Sequence, residues 1–233
     1  MEVTSTVSLY WMVFIGIVLL SWVVQVSLQS KFRKYSRITI SAGLTGAEVA
    51  RKMLQENGIT DVQVISVRGR LTDHFNPITR TVNLSEGVYA SRSVMAAAVA
   101  AHECGHAVQH ATGYAPLKMR SALVPAVHFA SQWVMWLILA GMFMINTFPQ
   151  LMLTGIVLFA LTTLFSFITL PVEINASKRA LVWLNTSGIT DYETYPMAKE
   201  ALKSAAYTYV VAALSSLATL FYYISLFSGS KRR

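Results

Sequence analysis

"LMLTGIVLFALTTLFSFITLPVEINASKRAL", residues 151–181, decides how this chain folds. Its first twenty residues include no Asp, Glu, Lys, Arg or His. About 20 apolar residues, each rising 1.5 Å, are what a helix needs to cross the hydrocarbon core of a bilayer. The span then runs straight into "PVEINASKRAL", where Glu173, Ala176 and Ala180 share one helical face. Pro171 is expected to kink or restart the helix at that boundary.

Three more stretches pass the same test: 7–28, about 121–145, and 205–227, with His128 their one ionisable residue. The chain is 54% hydrophobic and 13% charged, against about 25% charged in soluble domains. The first span lacks a basic leader and a small-residue cleavage site, so it reads as a retained anchor rather than a signal peptide. The expected fold is a mainly α membrane protein with four transmembrane helices and an α+β unit on the cytoplasmic side. Its parts are an anchor (1–28), a polar subdomain (29–120), a transmembrane hairpin (121–170), a second polar piece (171–204), and a last span with a basic tail (205–233).

The net charge of +8 does not point to nucleic acid. Twelve of the 19 Lys and Arg lie between residues 31 and 120 and four between 178 and 203, whereas the link "NTFPQ" (146–150) has none. That asymmetry places both polar pieces in the cytoplasm, beneath the cell membrane. The tail "KRR" would then lie outside, against the rule, but three residues weigh little against sixteen. Lys31, Arg33, Lys34 and Arg37 follow the first span, where solvation or attraction to anionic headgroups accounts for them. A single cysteine excludes an intramolecular disulfide and a multi-Cys zinc site.

Within 29–120, "TGAEVARKMLQENG" has a capping box at Thr45 and Glu48 and a stop at Gly58. "DVQVISV" reads as a strand, Asn76-Pro77 as a turn, and about 78–84 as a second strand. A long helix then runs from Ser91 or Ser93 to Gly113. In the second polar piece, Thr190 and Glu193 are expected to open a short helix before the last span.

The long helix carries "AAHECGHAVQH", residues 100–110. His102 and His106 lie one turn apart on one face and can bind a single zinc ion, while Glu103 can reach a water at that ion as general base. With five His and eight Glu in the chain, chance supplies an HExxH in about a few cases per thousand. Two histidines need a third protein ligand. His110 lies about 12 Å along the helix from His102, too far to join, and Cys104 faces away, as a small core residue would. Glu173 is the better candidate, because the two intervening spans return the chain to the same membrane face. The competing role for Glu173 is an ion pair with Lys178 or Arg179.

"SAGLTGAEVAR", "VRGRLTDHFNP", "LSEGVYASRS", "VAAHECGHAVQHATGYAPLKMRSALVP" and "LPVEINASKRAL" together resemble the YugP-type membrane zinc metallopeptidases, from about residue 31 to residue 215. That family is similar to the HtpX-type and prenyl-protein peptidases, whose arrangement is zincin-like with a glutamate as third ligand (gluzincin). The resemblance implies a Zn2+ cofactor held by His102, His106 and Glu173, with Glu103 as catalytic base. It also implies that a strand ahead of the motif helix binds the substrate backbone. Asp73, His74 and Phe75 are the residues so placed, with His74 a candidate oxyanion partner and turn stabilisation the alternative for Asp73 and His74. The HtpX-type pattern has an Asp four residues after the third ligand, where this chain has Ser177.

The function expected is zinc-dependent hydrolysis of peptide bonds in peptide or protein substrates, with membrane proteins a natural class so close to the bilayer. The competing reading is a non-catalytic membrane scaffold with a structural zinc. A transporter ranks low, since the spans carry almost no ionisable groups.

Overall fold

The four apolar stretches all fold as helix, and the helices run on past their spans. In the computed structural model, which describes residues 2–230 and the side chains of 11–229, the order begins α1 (Glu2–Tyr35), α2 (Gly46–Glu56), β1 (Gln63–Val67), β2 (His74–Asn76) and β3 (Thr81–Ser85). It continues α3 (Glu86–Tyr89), α4 (Val94–Ala111), α5 (Ala115–Phe143), α6 (Pro149–Thr186) and α7 (Thr194–Ser230). Parts of α1, α5, α6 and α7 are long and apolar enough to cross a membrane. Their large side chains are open: Trp22 is 64% exposed, Trp136 69% and Phe143 88%. Apolar surface on that scale is stable against lipid, not water.

The chain divides into two compact units. One comprises Met1–Val23, Met119–Leu170 and Tyr209–Arg233. Here α5 and α6 approach through glycine: a Cβ on Gly141 would lie 2.5 Å from the Cα of Met152, and one on Gly155 2.9 Å from Ile138. Small residues permit such backbone contact between helices in lipid, where hydrophobicity drives no association.

The other unit, Val24–Lys118 with Pro171–Thr208, holds the polar pieces. Its core is built around α4, where Ala96, Ala97, Ala98, Ala100 and Ala101 are all buried and let neighbouring elements come close. The Thr45–Glu48 capping box forms as expected, and Gly58 and Gly113 take the left-handed φ values of 69° and 65° that end their helices. The long helix starts at the Ser93 cap. Lys31 pairs with Glu200 at 3.2 Å and donates to Ser204 at 2.7 Å, and the Tyr35 hydroxyl also bonds Glu200. At least one of the juxtamembrane cations therefore has a protein partner.

Three expectations change. The segment read as a turn and one strand is a hairpin: β2 precedes the turn, and β3 covers 81–85. Asn76 closes the turn by accepting from the amides of Ile78 and Thr79. β3 lies between the others, parallel to β1 and antiparallel to β2, which leaves β2 at an edge. Pro171 does not restart the helix; α6 is continuous through it. Val172, Ala176 and Ala180 are fully buried, and that packing outweighs the one backbone bond a proline removes. Finally, α7 is capped by Asp191 and Thr194, not Thr190 and Glu193. Asp191 accepts from the amides of Glu193 and Thr194, and Thr194 accepts from the amide of Asp191. Hydrogen bonds from the Thr194 amide and hydroxyl, with those of Ser41 and the Glu193 amide, lower the Asp191 carboxyl pKa to about 2.

Candidate metal centre

The site is built where α4 meets the end of α6. Gly105, between the two motif histidines, sets the approach: a Cβ there would stand 2.6 Å from the carbonyl oxygen of Ala176. Because neither Gly105 nor Ala176 has bulk, the rings of His102 and His106 face the carboxylate of Glu173. His102 Nε2 lies 3.3 Å and His106 Nε2 3.5 Å from Glu173 Oε2. Among the described residues, these three form the group of His, Cys, Asp and Glu side chains able to hold a metal ion, with ligand atoms within 4.8 Å of one another.

The donors suit zinc in kind and in spacing. Two imidazoles and a carboxylate are a frequent zinc set. Ligands held tetrahedrally at about 2.1 Å stand roughly 3.4 Å apart, close to the distances seen here. The surroundings are dry: Glu173 is 3% exposed and His106 8%. Burial works against the His106 imidazolium. The Glu173 hydrogen bond and the charges of Glu103 and Glu173 overcome it, so the group sits above its ordinary 6.5.

Both histidines are held from behind. His102 Nδ1 meets Ser177 Oγ at 3.1 Å, and His106 Nδ1 meets Gln109 Oε1 at 3.0 Å. Ser177 is thus in contact with a candidate ligand, although a hydroxyl stands where the HtpX-type pattern has a carboxylate. Gln109 was not anticipated from the sequence. The available signal was a polar residue three positions after His106 in an alanine-rich helix, on the face that carries both histidines.

Glu103, 8% exposed, accepts from the backbone N–H of Phe75 at 3.1 Å. That amide therefore points away from β3, toward the open side of β2. In antiparallel pairing a residue's N–H and C=O point the same way, so the Phe75 carbonyl opens on that edge as well. The Asp73 carboxylate accepts from the Ser85 amide at 2.7 Å and the Ser85 hydroxyl at 3.0 Å, tying the start of β2 to the end of β3. His74 is exposed, with Nδ1 2.8 Å from the carbonyl oxygen of Thr72. His110 lies against Phe75, ring centroids 5.8 Å apart, and is outside the metal group. Cys104 is fully buried with its thiol toward the Ala50 carbonyl at 3.5 Å, and burial with the nearby Glu103 charge pushes that thiol up. It is a core residue.

Comparison with known proteins gives the same picture. The profile of a family described as "Putative neutral zinc metallopeptidase" matches residues 10–228. The chain is 43% identical over 212 residues to a Bacillus subtilis protein named "Putative membrane protease YugP", covering 91% of this chain and 93% of that one. No solved structure matches. Motif, converging ligands, apolar helices and near full-length similarity lead to one assignment: the chain belongs to the neutral zinc metallopeptidase family and is a membrane protein whose cofactor is zinc.

Proposed function

We propose that this protein is a membrane-anchored, zinc-dependent endopeptidase with its site on the cytoplasmic side, arranged as a gluzincin with His102, His106 and Glu173 as ligands. The observation that carries the reading is the convergence of those three side chains from two helices, with Glu103 beside them and bonded to the edge strand β2.

When bound there, zinc supplies Lewis acidity, which polarises a peptide carbonyl and makes water a competent nucleophile near neutral pH. The rest falls to the chain. Glu103 takes the proton as the water oxygen attacks the carbonyl carbon, and returns it to the amide nitrogen as the C–N bond breaks. One product leaves as a carboxylic acid and the other as an amine, with no covalent link to the enzyme. Phe75 N–H holds the carboxylate in place, since Glu103 is otherwise free to turn about its side-chain bonds. A substrate strand adds to the edge at Asp73–Phe75 through the backbone groups that Glu103 leaves unused, the Phe75 carbonyl among them, the usual way an extended peptide meets an unpaired strand. The positive bias of 29–120 and 171–203 supports the cytoplasmic placement.

The test is zinc content and casein hydrolysis for wild type, Glu103→Gln and Glu173→Ala. The expected result is that Glu103→Gln keeps zinc and loses activity, while Glu173→Ala loses zinc. Normal zinc in Glu173→Ala would remove it from the ligand set. Zinc-loaded wild type that never cleaves would refute the peptidase reading.

A further inference from the structure

His106 carries a question that the ligand set leaves open: which ring nitrogen keeps its proton when the metal enters. A neutral imidazole can ligate through Nε2 only when its proton is on Nδ1, and the group opposite Nδ1 makes that choice. That group is Oε1 of Gln109, fully buried at 0% exposure. A carboxamide has nearly the same shape either way round, so its polarity must be argued from its partners.

The partners decide it. Gln109 Nε2 lies 2.7 Å from the backbone carbonyl oxygen of Val172, an atom that can only accept. The same nitrogen lies 3.0 Å from Asn175 Oδ1, and Nε of Arg179, which can only donate, reaches that oxygen at 2.8 Å. Two independent constraints, a main-chain carbonyl and a guanidinium, therefore place the Gln109 NH2 toward α6. Its carbonyl oxygen is left to face His106. It can only accept, so Nδ1 must donate, which leaves Nε2, on the Glu173 side of the ring, as the nitrogen that can give up its proton to a metal.

We propose that Gln109 is the positioning residue of His106. It fixes the Nδ1–H tautomer and ties that ligand to the backbone of Val172, next to Glu173 on α6. The ties to α6 run through both histidines: Ser177 contacts His102 directly, and Val172 with Asn175 acts on His106 through Gln109. The inference rests on the metal-site reading above, and the Nδ1 proton it specifies is measured separately from zinc content.

Two variants separate positioning from packing, because they rank in opposite order. Gln109→Met keeps length and apolar volume but removes the acceptor. Gln109→Glu keeps an acceptor for Nδ1–H at the cost of a buried charge. If Gln109 positions His106, the Met variant loses zinc affinity by about 10–100-fold, and the Glu variant binds more tightly than the Met variant. If Gln109 merely fills space, the Met variant is near wild type and the Glu variant is the worse of the two, which would overturn the proposal. Affinity is read by competition with a chromophoric chelator.

Should either variant fail to fold, the wild type alone decides. In zinc-loaded protein labelled with 15N-histidine, the expected long-range correlation assigns His106 to the Nδ1–H form, with Nε2 on the metal. The signal is identified by its loss in His106→Gln. An Nε2–H assignment would overturn the proposal whatever the zinc data show. Failure of wild type to bind zinc would instead overturn the metal reading beneath it, and the two failures appear in different measurements.

Discussion

Replacing Gly105 with alanine sets two energies of opposite sign against each other at the point where the ligand-bearing helices touch. In a helix interior the change is favourable by about 1 kcal/mol, because glycine gives up more backbone entropy. Here the new Cβ would stand 2.6 Å from the Ala176 carbonyl oxygen and 3.1 Å from its carbonyl carbon and Cα. These are backbone atoms of α6, so no rotamer change relieves the clash. Ordinary contact begins near 3.4 Å, so α4 and α6 must part by about 0.8 Å. Overpacking of this kind costs about 1–3 kcal/mol, which outweighs the helix term or at best matches it. The metal site is the more sensitive reporter, since zinc–ligand distances are tolerated to only about 0.2 Å. His102 and His106 ride on one helix and Glu173 on the other, so the separation falls directly on the ligand set. Zinc affinity is expected to drop by at least about tenfold, comparable to the loss of an orienting partner, while melting of the chelator-stripped protein in detergent moves by a few degrees at most. The paired measurements are chelator competition and thermal unfolding of wild type and Gly105→Ala. A variant that binds zinc like wild type and melts higher would refute the reasoning, because helix propensity would then have won and the close approach would not set the ligand spacing.

Phe75→Pro removes the N–H that Glu103 accepts while leaving β2 at an edge, where proline is tolerated. The expected outcome is normal zinc content with kcat down about 10–100-fold, the worth of one hydrogen bond to a charged group. His74→Ala is expected to leave kcat near wild type at neutral pH. Its Nδ1 donates to the Thr72 carbonyl, so the ring is held by its own loop; a clear fall in kcat with zinc retained would instead support the oxyanion role. The pH dependence should change sign with the metal. The His106 pKa lies above 6.5 in the metal-free fold, so its contribution to stability is fully present below that pH and is lost as pH rises through the raised value. Zinc must displace that proton, so its affinity rises over the same interval. Melting curves against pH, with and without zinc and against His106→Gln, test both slopes.

The residues that set local structure were legible in the chain. Thr45 and Glu48 sit three apart ahead of an apolar face, and a capping box forms there because its hydrogen bonds close within one turn. Gly113 ends α4 because only a short-range φ is at stake. The errors fall where two local patterns compete or where the segment is too short to have a pattern. Thr190–Glu193 and Asp191–Thr194 both fit the spacing of a cap, and the start of α7 chooses between them. A three-residue strand such as His74–Asn76 has no alternation to read. Pro171 looks like a break until the burial of Val172 and Ala176 beside it is taken into account.

By itself the sequence determined the kinds of group at the site and their spacing along each helix. HExxH places two imidazoles and a carboxylate one turn apart, and four apolar runs require a membrane, because period and length are local properties of a chain. The tertiary structure decided which distant groups meet them. Glu173 reaches His102 and His106 from 71 and 67 positions away only because Gly105 lets α4 lie against Ala176. The choice of Gln109 as partner to His106, and of Phe75 N–H as partner to Glu103, likewise follows from how α4 packs against α6 and the sheet. No periodicity in the chain encodes those contacts, since they depend on how closely two backbones can approach rather than on how far apart the residues lie in sequence.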